Sequence, residues 1–210
     1  MRIHALSGLI VLLSGFFILS ACRVKAQDYG LKTGFVLSTL NGQGNNSIRP
    51  GFQFGAYKKF GATEKLFVQM EALLSQKGAW NWEEDNVNNI NLYYFDFAIM
   101  FGILLDEKFT LNLGIQPSVF LGGNYKYVVD DEEQIENLSG RVSLMDYATI
   151  FGLEYVLSEN FAIGSRFNYS FVPIQSYEND FSDNNELPFS MLFQLYGKVK
   201  MEKIKAWLKK

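Results

Sequence analysis

Seven ionisable side chains lie in segments where apolar and polar residues alternate, and each falls on the polar side of its segment. Two carboxylates at a fixed separation can perform acid–base catalysis, but no motif sets the distance between Glu71 and Asp96 or Asp146. Ionisable groups in series can also pass protons or ions, and opposite charges removed from water pair with one another. We predict pairing, with no catalytic residue and no enzymatic activity. The predicted interior ion-pair network consists of Lys32, Lys59, Glu71, Asp96, Asp146, Glu154 and Arg166.

The alternation is clearest between Glu64 and Gly78. Successive side chains of a β-strand point to opposite faces, so a period of two predicts a strand with one apolar and one polar face. The apolar face carries Leu66, Val68, Met70, Ala72 and Leu74, and the other carries Phe67, Gln69, Glu71, Leu73, Ser75 and Lys77. Seven further segments share this period. The predicted strands span residues 29–40, 51–60, 64–78, 91–105, 108–122, 141–157, 161–172 and 189–200.

The connections between the predicted strands alternate in length, long after the first, third, fifth and seventh strands and short after the others. The long ones include a loop over Trp80–Asn89 and an acidic loop at about 123–140. This alternation and the even strand count are typical of an outer-membrane barrel with short periplasmic turns and long extracellular loops. The sequence therefore predicts an all-β fold, an eight-stranded antiparallel up-and-down transmembrane β-barrel whose apolar faces contact lipid. Aromatic residues at both strand ends, with Phe60, Phe67, Phe109 and Phe161 beside the short turns, are predicted to lie at the membrane interfaces. A soluble lipocalin-like barrel, the rival architecture, would reverse the two faces.

The first 26 residues have the composition of an export signal, with a short basic start, an apolar run from Ala5 to Ala21 and a polar break. We predict a signal peptide at 1–26 that is cleaved, which leaves a barrel domain at 27–200 and a basic periplasmic tail at 201–210. The residues before Cys22 also resemble a bacterial lipobox, so lipidation of Cys22 is the alternative. The tail could bind anionic lipid or a periplasmic partner, or could be a disordered terminus.

Cleavage would remove His4, the one histidine, and also Cys22, the one cysteine, unless that residue is lipidated. A mature chain without imidazole and thiol groups excludes Ser-His-Asp and Cys-His catalytic sites, the usual zinc sites and disulfides. The net charge of −3 does not indicate nucleic-acid binding. The acidic run Asp130–Glu133 offers oxygen ligands but lacks the spacing of a calcium loop, so solvated loop charge is favoured over cation bridging. We predict no cofactor and no metal site.

Three stretches carry a family resemblance: Tyr29-Gly-Leu-Lys-Thr-Gly-Phe-Val-Leu-Ser38, Gly51-Phe-Gln-Phe-Gly55, and Val68 to Ala79 with its Lys77-Gly78 pair. Through them the chain resembles the outer-membrane β-barrel family of Gram-negative bacteria that includes the PorT-like proteins. The resemblance implies the barrel fold and a secretion-related role in the cell envelope. The chain departs from many such barrels in continuing past Tyr196 to Lys210, where an aromatic residue often ends the last strand.

The function predicted from these features is that of a small closed barrel in the cell outer membrane, with a structural or interaction role in the cell envelope. Its predicted partners are outer-membrane lipid and other envelope proteins, and the sequence leaves the oligomeric state open. A narrow outer-membrane channel is the alternative, and a membrane-embedded lipid enzyme is the third hypothesis. Because an eight-stranded barrel is just wide enough for its own side chains to fill it, the closed form is preferred.

Overall fold

The computed structural model describes most of the chain, in ranges separated by short gaps. The predicted signal peptide up to residue 25, including the candidate lipidation site Cys22, lies outside the described residues. So do the centre of the acidic run at 130–131 and the last two residues of the tail. The described ranges are 26–41, 46–61, 63, 65–83, 86–129, 132–174 and 189–208.

The described chain is almost entirely β-strand and ends in one short helix, α1 (Met201–Leu208). Eight strands have ten residues or more, and two, β2 and β7, are shorter. The strands are β1 (Ala26–Asn41), β2 (Asn46–Ser47), β3 (Arg49–Gly61), β4 (Leu66–Glu83), β5 (Asn86–Leu104), β6 (Phe109–Val129), β7 (Glu132–Asn137), β8 (Met145–Ser158), β9 (Phe161–Ser170) and β10 (Phe189–Lys200). Within the described ranges no helix has the length and apolar composition that crossing a membrane requires.

Eight of the described strands pair in the closed order β4, β3, β1, β10, β9, β8, β6, β5, and β5 pairs with β4 again. Every pairing is antiparallel. The short strand β2 pairs with the end of β4, and β7 pairs with the end of β6, both beyond the ring. Closure gives each of the eight strands two neighbours, so the backbone groups along the ring have partners and no edge is left open. The predicted eight-stranded antiparallel barrel is confirmed.

The two ends of the barrel differ in their connections. We call the end with the β3–β4, β5–β6 and β8–β9 connections the short-turn end, since each of these joins its strands within four residues. The opposite end, which carries the connections around β2 and β7 and the segment between β9 and β10, is the long-loop end. Both β1 and α1 begin at the short-turn end, because β1 and β10 are antiparallel neighbours.

The alternation in the sequence separates the inside of the barrel from its outer wall. Along β4, Glu71 and Lys77 are each 1% exposed, whereas Leu66 and Leu74 are 45% and 39% exposed. Met70 shares the outer parity with Leu66 but is only 7% exposed. A wall with apolar groups outside and polar groups inside is the reverse of a soluble barrel. The outer face therefore suits hydrocarbon.

Two segments predicted as loops are in fact paired strand. The prediction of a loop over Trp80–Asn89 is wrong, because β4 and β5 continue as one hairpin until Glu83 lies opposite Asn86. The prediction of an acidic loop at 123–140 is also wrong in part, because β6 continues to Val129 and pairs with β7. Backbone hydrogen bonding continues through both segments, and in part so does the alternation, as in Trp80-Asn81-Trp82-Glu83. The high content of Asn and acidic residues favoured loops although the period of two continued.

Pro117 lies in the middle of β6, where its missing N–H disturbs the ladder on one side. It faces Tyr147 of β8 in register. On the β5 side, Ser118 lies opposite Asp96, and the next registered pair is Ile115 with Ile99. Among the described residues of β5, Pro117 therefore has no registered partner. The ladder thus loses pairs only on the side where proline cannot donate.

Phe67 lies inside the barrel, and its prediction as an interfacial aromatic is wrong. Its side chain is 8% exposed, and it stands directly opposite Gly102 of β5. A Cβ at Gly102 would lie 2.0 Å from Cζ of Phe67, so the ring occupies the space that a side chain would need. Tyr196 fills the space over Gly164 in the same way. Glycine opposite a large ring is how this narrow interior accommodates aromatic groups.

An apolar cap closes the long-loop end. Its wall residues come from β1, β4, β5 and β6, and two further members come from connections between strands. The backbone N–H of Leu138 donates to the carbonyl of Gly123 at 3.1 Å, and the N–H of Ser143 donates to the carbonyl of Ile174 at 2.7 Å. These bonds fix both connections over the mouth. The cap consists of Leu40, Ala79, Leu92, Tyr94, Phe120, Leu138 and Ile174, each at most 9% exposed.

Candidate functional site in the barrel interior

Glu71 is the centre of the charged cluster nearer the short-turn end. Arg166 reaches it from β9 with two parallel bonds, Nη1 to Oε2 at 2.8 Å and Nη2 to Oε1 at 2.9 Å. Lys32 of β1 adds a contact of 2.9 Å to Oε2, and Gln69 donates to Oε1 at 2.7 Å. The side chains of Glu71, Arg166 and Lys32 are 0% exposed. The carboxylate thus receives four charged or amide donors, which is the kind of pairing a buried charge requires.

Glu154 of β8 is the second carboxylate of this cluster. Lys198 donates to its Oε2 at 2.7 Å, and Lys59 approaches its Oε1 at 3.7 Å. Lys198 also donates to Oε1 of Gln69 at 2.7 Å, and this amide joins the two carboxylates into one network. The lower ionic layer is defined as Lys32, Lys59, Glu71, Glu154, Arg166 and Lys198.

An aromatic ring supports the cations of the lower ionic layer. Nζ of Lys32 lies 3.9 Å from the ring centroid of Tyr196, and the guanidinium carbon of Arg166 lies 5.2 Å from it. The Tyr196 hydroxyl donates to Oε2 of Glu154 at 3.4 Å. Cations within about 6 Å of an aromatic centroid are attracted to its face. The cations of this layer outnumber its two carboxylates, and the face of the Tyr196 ring stabilises part of the excess positive charge.

Lys77 of β4 is the centre of a second cluster, nearer the long-loop end. Its Nζ lies 3.1 Å from Oδ1 of Asp96 and 3.5 Å from Oδ2 of Asp146. It also donates to the hydroxyl of Ser118 at 3.2 Å and lies 4.5 Å from the Tyr94 ring centroid. The upper ionic layer is defined as Lys77, Asp96 and Asp146.

Neutral side chains separate the two layers. Ala98, Met100 and Ile150 form a small buried apolar cluster in the wall. Beside them Asn168 donates to Oε1 of Gln116 at 2.9 Å. No salt bridge connects the two layers within the described part of the chain. The interior therefore holds two ionic layers with a neutral section between them.

All seven residues of the predicted network point into the barrel. Lys32, Lys59, Glu71, Glu154 and Arg166 lie together in the lower ionic layer, and Asp96 and Asp146 lie in the upper one. Sequence reasoning missed Lys77 and Lys198 as network members. The signal was available, because Lys198 continues the inward parity of Gln194 and Tyr196 along β10, and Lys77 continues that of Glu71 along β4.

The arrangement holds charges in place and gives little opportunity for acid–base chemistry. Glu71 accepts bonds from Arg166, Lys32 and Gln69. Glu154 accepts bonds from Lys198 and the Tyr196 hydroxyl, and both carboxylates are buried. Among the described residues no three His, Cys, Asp or Glu side chains are placed together as metal ligands. The lower ionic layer has four cations around two carboxylates, and the upper has one cation between two.

A closed eight-stranded barrel with an apolar outer wall and an ionic interior defines the class of small outer-membrane barrel proteins. Residues 25–176 match the family model described as outer membrane protein beta-barrel domain. The chain therefore belongs to this family, and its location is the cell outer membrane.

Solved structures show the same fold. The attachment invasion locus protein Ail of Yersinia pestis is 13% identical, with a TM-score of 0.52, and the match covers 84% of this chain and 100% of that one. Neisserial surface protein A is 9% identical, with a TM-score of 0.54, and the match covers 84% of this chain and 99% of that one. At such low identity the likeness concerns the fold alone. None of the curated proteins compared with the chain matches it.

Proposed function

We propose that this protein is a closed, non-conducting barrel with a structural or interaction role in the cell envelope and no enzymatic activity. The observation that carries the proposal is the filled interior: two ionic layers and an apolar cap succeed one another between the short-turn end and the long-loop end. An ion crossing the barrel would have to displace bonded charges and then an apolar constriction. Both are barriers to conduction.

The long-loop end is the surface through which the barrel would meet other envelope components. Three carboxylates of β7, those of Glu132, Glu133 and Glu136, stand on the hairpin that rises beyond the ring. Two of them are paired, Glu133 with Lys126 at 2.8 Å and Glu136 with Arg141. Their pairing leaves less uncompensated negative charge on the hairpin to attract cations. The proposal places this end outside the cell and the short-turn end in the periplasm, as export of such barrels requires.

The resemblance to the PorT-like proteins adds the finer proposal that the barrel accompanies a secretion system. Its interaction partners are then other envelope proteins. Crosslinking in intact envelopes tests this proposal, with recovery of secretion components as the expected result. Recovery of the barrel without such components would contradict the secretion-related part and leave the closed barrel standing.

A narrow channel is the second candidate, and one observation favours it. The amide groups of Gln53, Asn112 and Gln194 are buried and have no protein hydrogen-bond partner among the described residues. Polar groups of this kind could line a path for water or small ions. Single-channel recording in planar bilayers separates the two candidates. We expect no steps from the native chain, whereas reproducible open steps would establish the channel.

Orientation is tested separately from conduction. Ser139 and Glu107 are both exposed, the first at the long-loop end and the second in a short turn. With a membrane-impermeant maleimide on intact cells, we expect the Ser139→Cys variant to be labelled and the Glu107→Cys variant to be labelled only after permeabilisation. The reverse pattern would overturn the proposed orientation.

A further inference from the structure

The outer wall of the barrel has a furrow where small residues interrupt its large apolar side chains. Two adjoining hollows of about 720 and 650 Å³ share Thr33, Ile163 and Gly197. Gly197 of β10 lies opposite Thr33 of β1 and Ile163 of β9, so the furrow follows these three strands. We use "the furrow" for the outer surface around Thr33, Ser165 and Gly197.

The depth of the furrow comes from the contrast between its floor and its sides. A Cβ added at Gly197 would meet no atom within 4 Å, so the space above the floor is open. Phe35 and Leu195 beside it are 75% and 52% exposed and project outwards. Between Leu31 and Phe35 the furrow runs roughly 13 Å along β1, at about 3.3 Å per residue. A long apolar hollow in a wall that faces hydrocarbon suits an acyl chain.

A basic surface lies at the short-turn end of the furrow. Helix α1 follows β10 directly, and Nζ of Lys205 donates to the hydroxyl of Tyr29 at 3.0 Å. Tyr29 is 41% exposed on the outer face of β1, two residues before Leu31. The helix therefore lies beside the furrow and not below the barrel interior. Exposed Lys58 of β3 stands opposite Tyr29 in register and adds a second ammonium group.

The charges of this surface favour an anion. Four lysines, at positions 58, 200, 203 and 205, and three carboxylates, those of Asp28, Glu159 and Glu202, lie at this end of the barrel. Lys200 is held by Asp28 at 2.8 Å. The hydrogen bond with Tyr29 raises the pKa of Lys205 further above neutral. Lysines near a membrane surface attract anionic lipid by such fields.

We propose that the furrow and α1 together bind one anionic phospholipid, with an acyl chain along the furrow and the phosphate beside Lys58 and Lys205. The acyl chain accounts for the apolar hollow, and the headgroup accounts for the basic surface at one of its ends. In the orientation proposed above, this site faces the periplasmic leaflet of the outer membrane. The binding itself does not depend on orientation or on whether the barrel conducts.

Native mass spectrometry of the full chain in detergent micelles tests the site. Dioleoylphosphatidylglycerol and dioleoylphosphatidylcholine differ in headgroup charge and share their acyl chains. We expect one phosphatidylglycerol to be retained, with at least a ten-fold preference over phosphatidylcholine. Lys205→Glu changes the local charge by two units, and at about five-fold per charge this is enough to abolish a ten-fold preference. Lys65→Glu, at an exposed lysine of the β3–β4 turn, is the matched control and should leave the preference unchanged.

Filling the furrow tests the acyl half of the site. Gly197→Leu should reduce retention of both lipids at least ten-fold, and Ser165→Leu on the same floor is a second filling variant. Gly122→Leu is the control, because a Cβ at Gly122 also meets nothing within 4 Å and lies elsewhere on the barrel. Heat-dependent gel mobility verifies that each variant is folded.

Three outcomes would overturn the proposal. The native chain could retain both lipids equally, the two lysine variants could behave alike, or folded filling variants could retain lipid as the Gly122→Leu control does. None of these outcomes bears on the closed barrel, which is judged by conductance.

Discussion

The two ionic layers both pair charges that are buried inside the barrel, but their excess charges have opposite signs. In the lower ionic layer Glu71 and Glu154 are surrounded by four cations, and amide and hydroxyl groups complete their bonds. In the upper ionic layer Asp96 and Asp146 share the single ammonium group of Lys77, below the apolar cap. Within the layers the excess is positive in the lower one and negative in the upper one. A further buried cation, Arg49, lies nearer the long-loop end and donates to Asn91 and to the carbonyl of Lys77. The lower layer therefore depends on its carboxylates, and the upper layer on its one cation.

Removing the central carboxylate should be the most damaging change. Glu71→Gln would leave Arg166 and Lys32 buried without their anion, at a cost of about 3–5 kcal/mol in the free energy of unfolding. Urea unfolding in lipid vesicles, followed by gel mobility, measures the loss.

A double variant shows whether this loss comes from the pair. Glu71→Gln with Arg166→Gln should lose less than the sum of the two single variants, by about 1–3 kcal/mol. Additive losses would mean that the two side chains act independently, and the comparison between the layers would then lose its basis.

Removing the central cation should cost less. Lys77→Met leaves Asp96 and Asp146 without their ammonium group, but Asp146 keeps the hydroxyl of Ser170, so we expect a loss of about 3 kcal/mol. Lys77→Met combined with Asp96→Asn removes one of the two unpaired carboxylates and should recover about 1 kcal/mol of this loss in urea unfolding. No recovery in the double variant would contradict the assigned sign of the upper layer.

A third prediction concerns the packing beneath the lower ionic layer. Gly102→Ala places a Cβ where the Phe67 ring lies, and the displaced ring should cost about 1–3 kcal/mol in the free energy of unfolding. Gly197→Ala, which adds the same methyl group over an open floor, is the matched control and should be neutral. Equal urea midpoints for the two variants would show that the ring is not held against Gly102.

The smallest effect is expected outside both layers, in the β5–β6 turn. Oδ1 of Asp106 accepts the backbone N–H groups of Lys108 and Phe109, each at 2.7 Å, and these bonds hold the pKa of Asp106 below its ordinary value. A depressed pKa gives stability that is present above the unfolded value of about 3.9 and is lost as the pH falls through the folded value. Asp106→Ala should thus lower the urea midpoint slightly at neutral pH and leave it unchanged in strong acid. Glu107→Ala serves as the exposed control.

The inward and outward faces followed from the sequence because period two is a local property of a strand. It placed Glu71, Arg166 and the other five network residues on the correct side before any partner was known. The predicted network missed Lys77 and Lys198, although both continue the inward parity of their strands. The prediction also failed at Phe67, where an apolar residue on the polar face was assigned to the membrane interface although its parity pointed inwards.

The sequence by itself determined the number of barrel strands and which face of each strand turns inwards, since both depend on a few neighbouring positions. Only the tertiary structure decided which charges meet. Glu71 and Arg166 are 95 positions apart and come together through the closure and register of the ring. The same closure divided the seven predicted residues between two layers, and it brought Leu138 and Ile174 from separate connections into one cap. Long-range pairing depends on strand tilt and register, which no local pattern specifies.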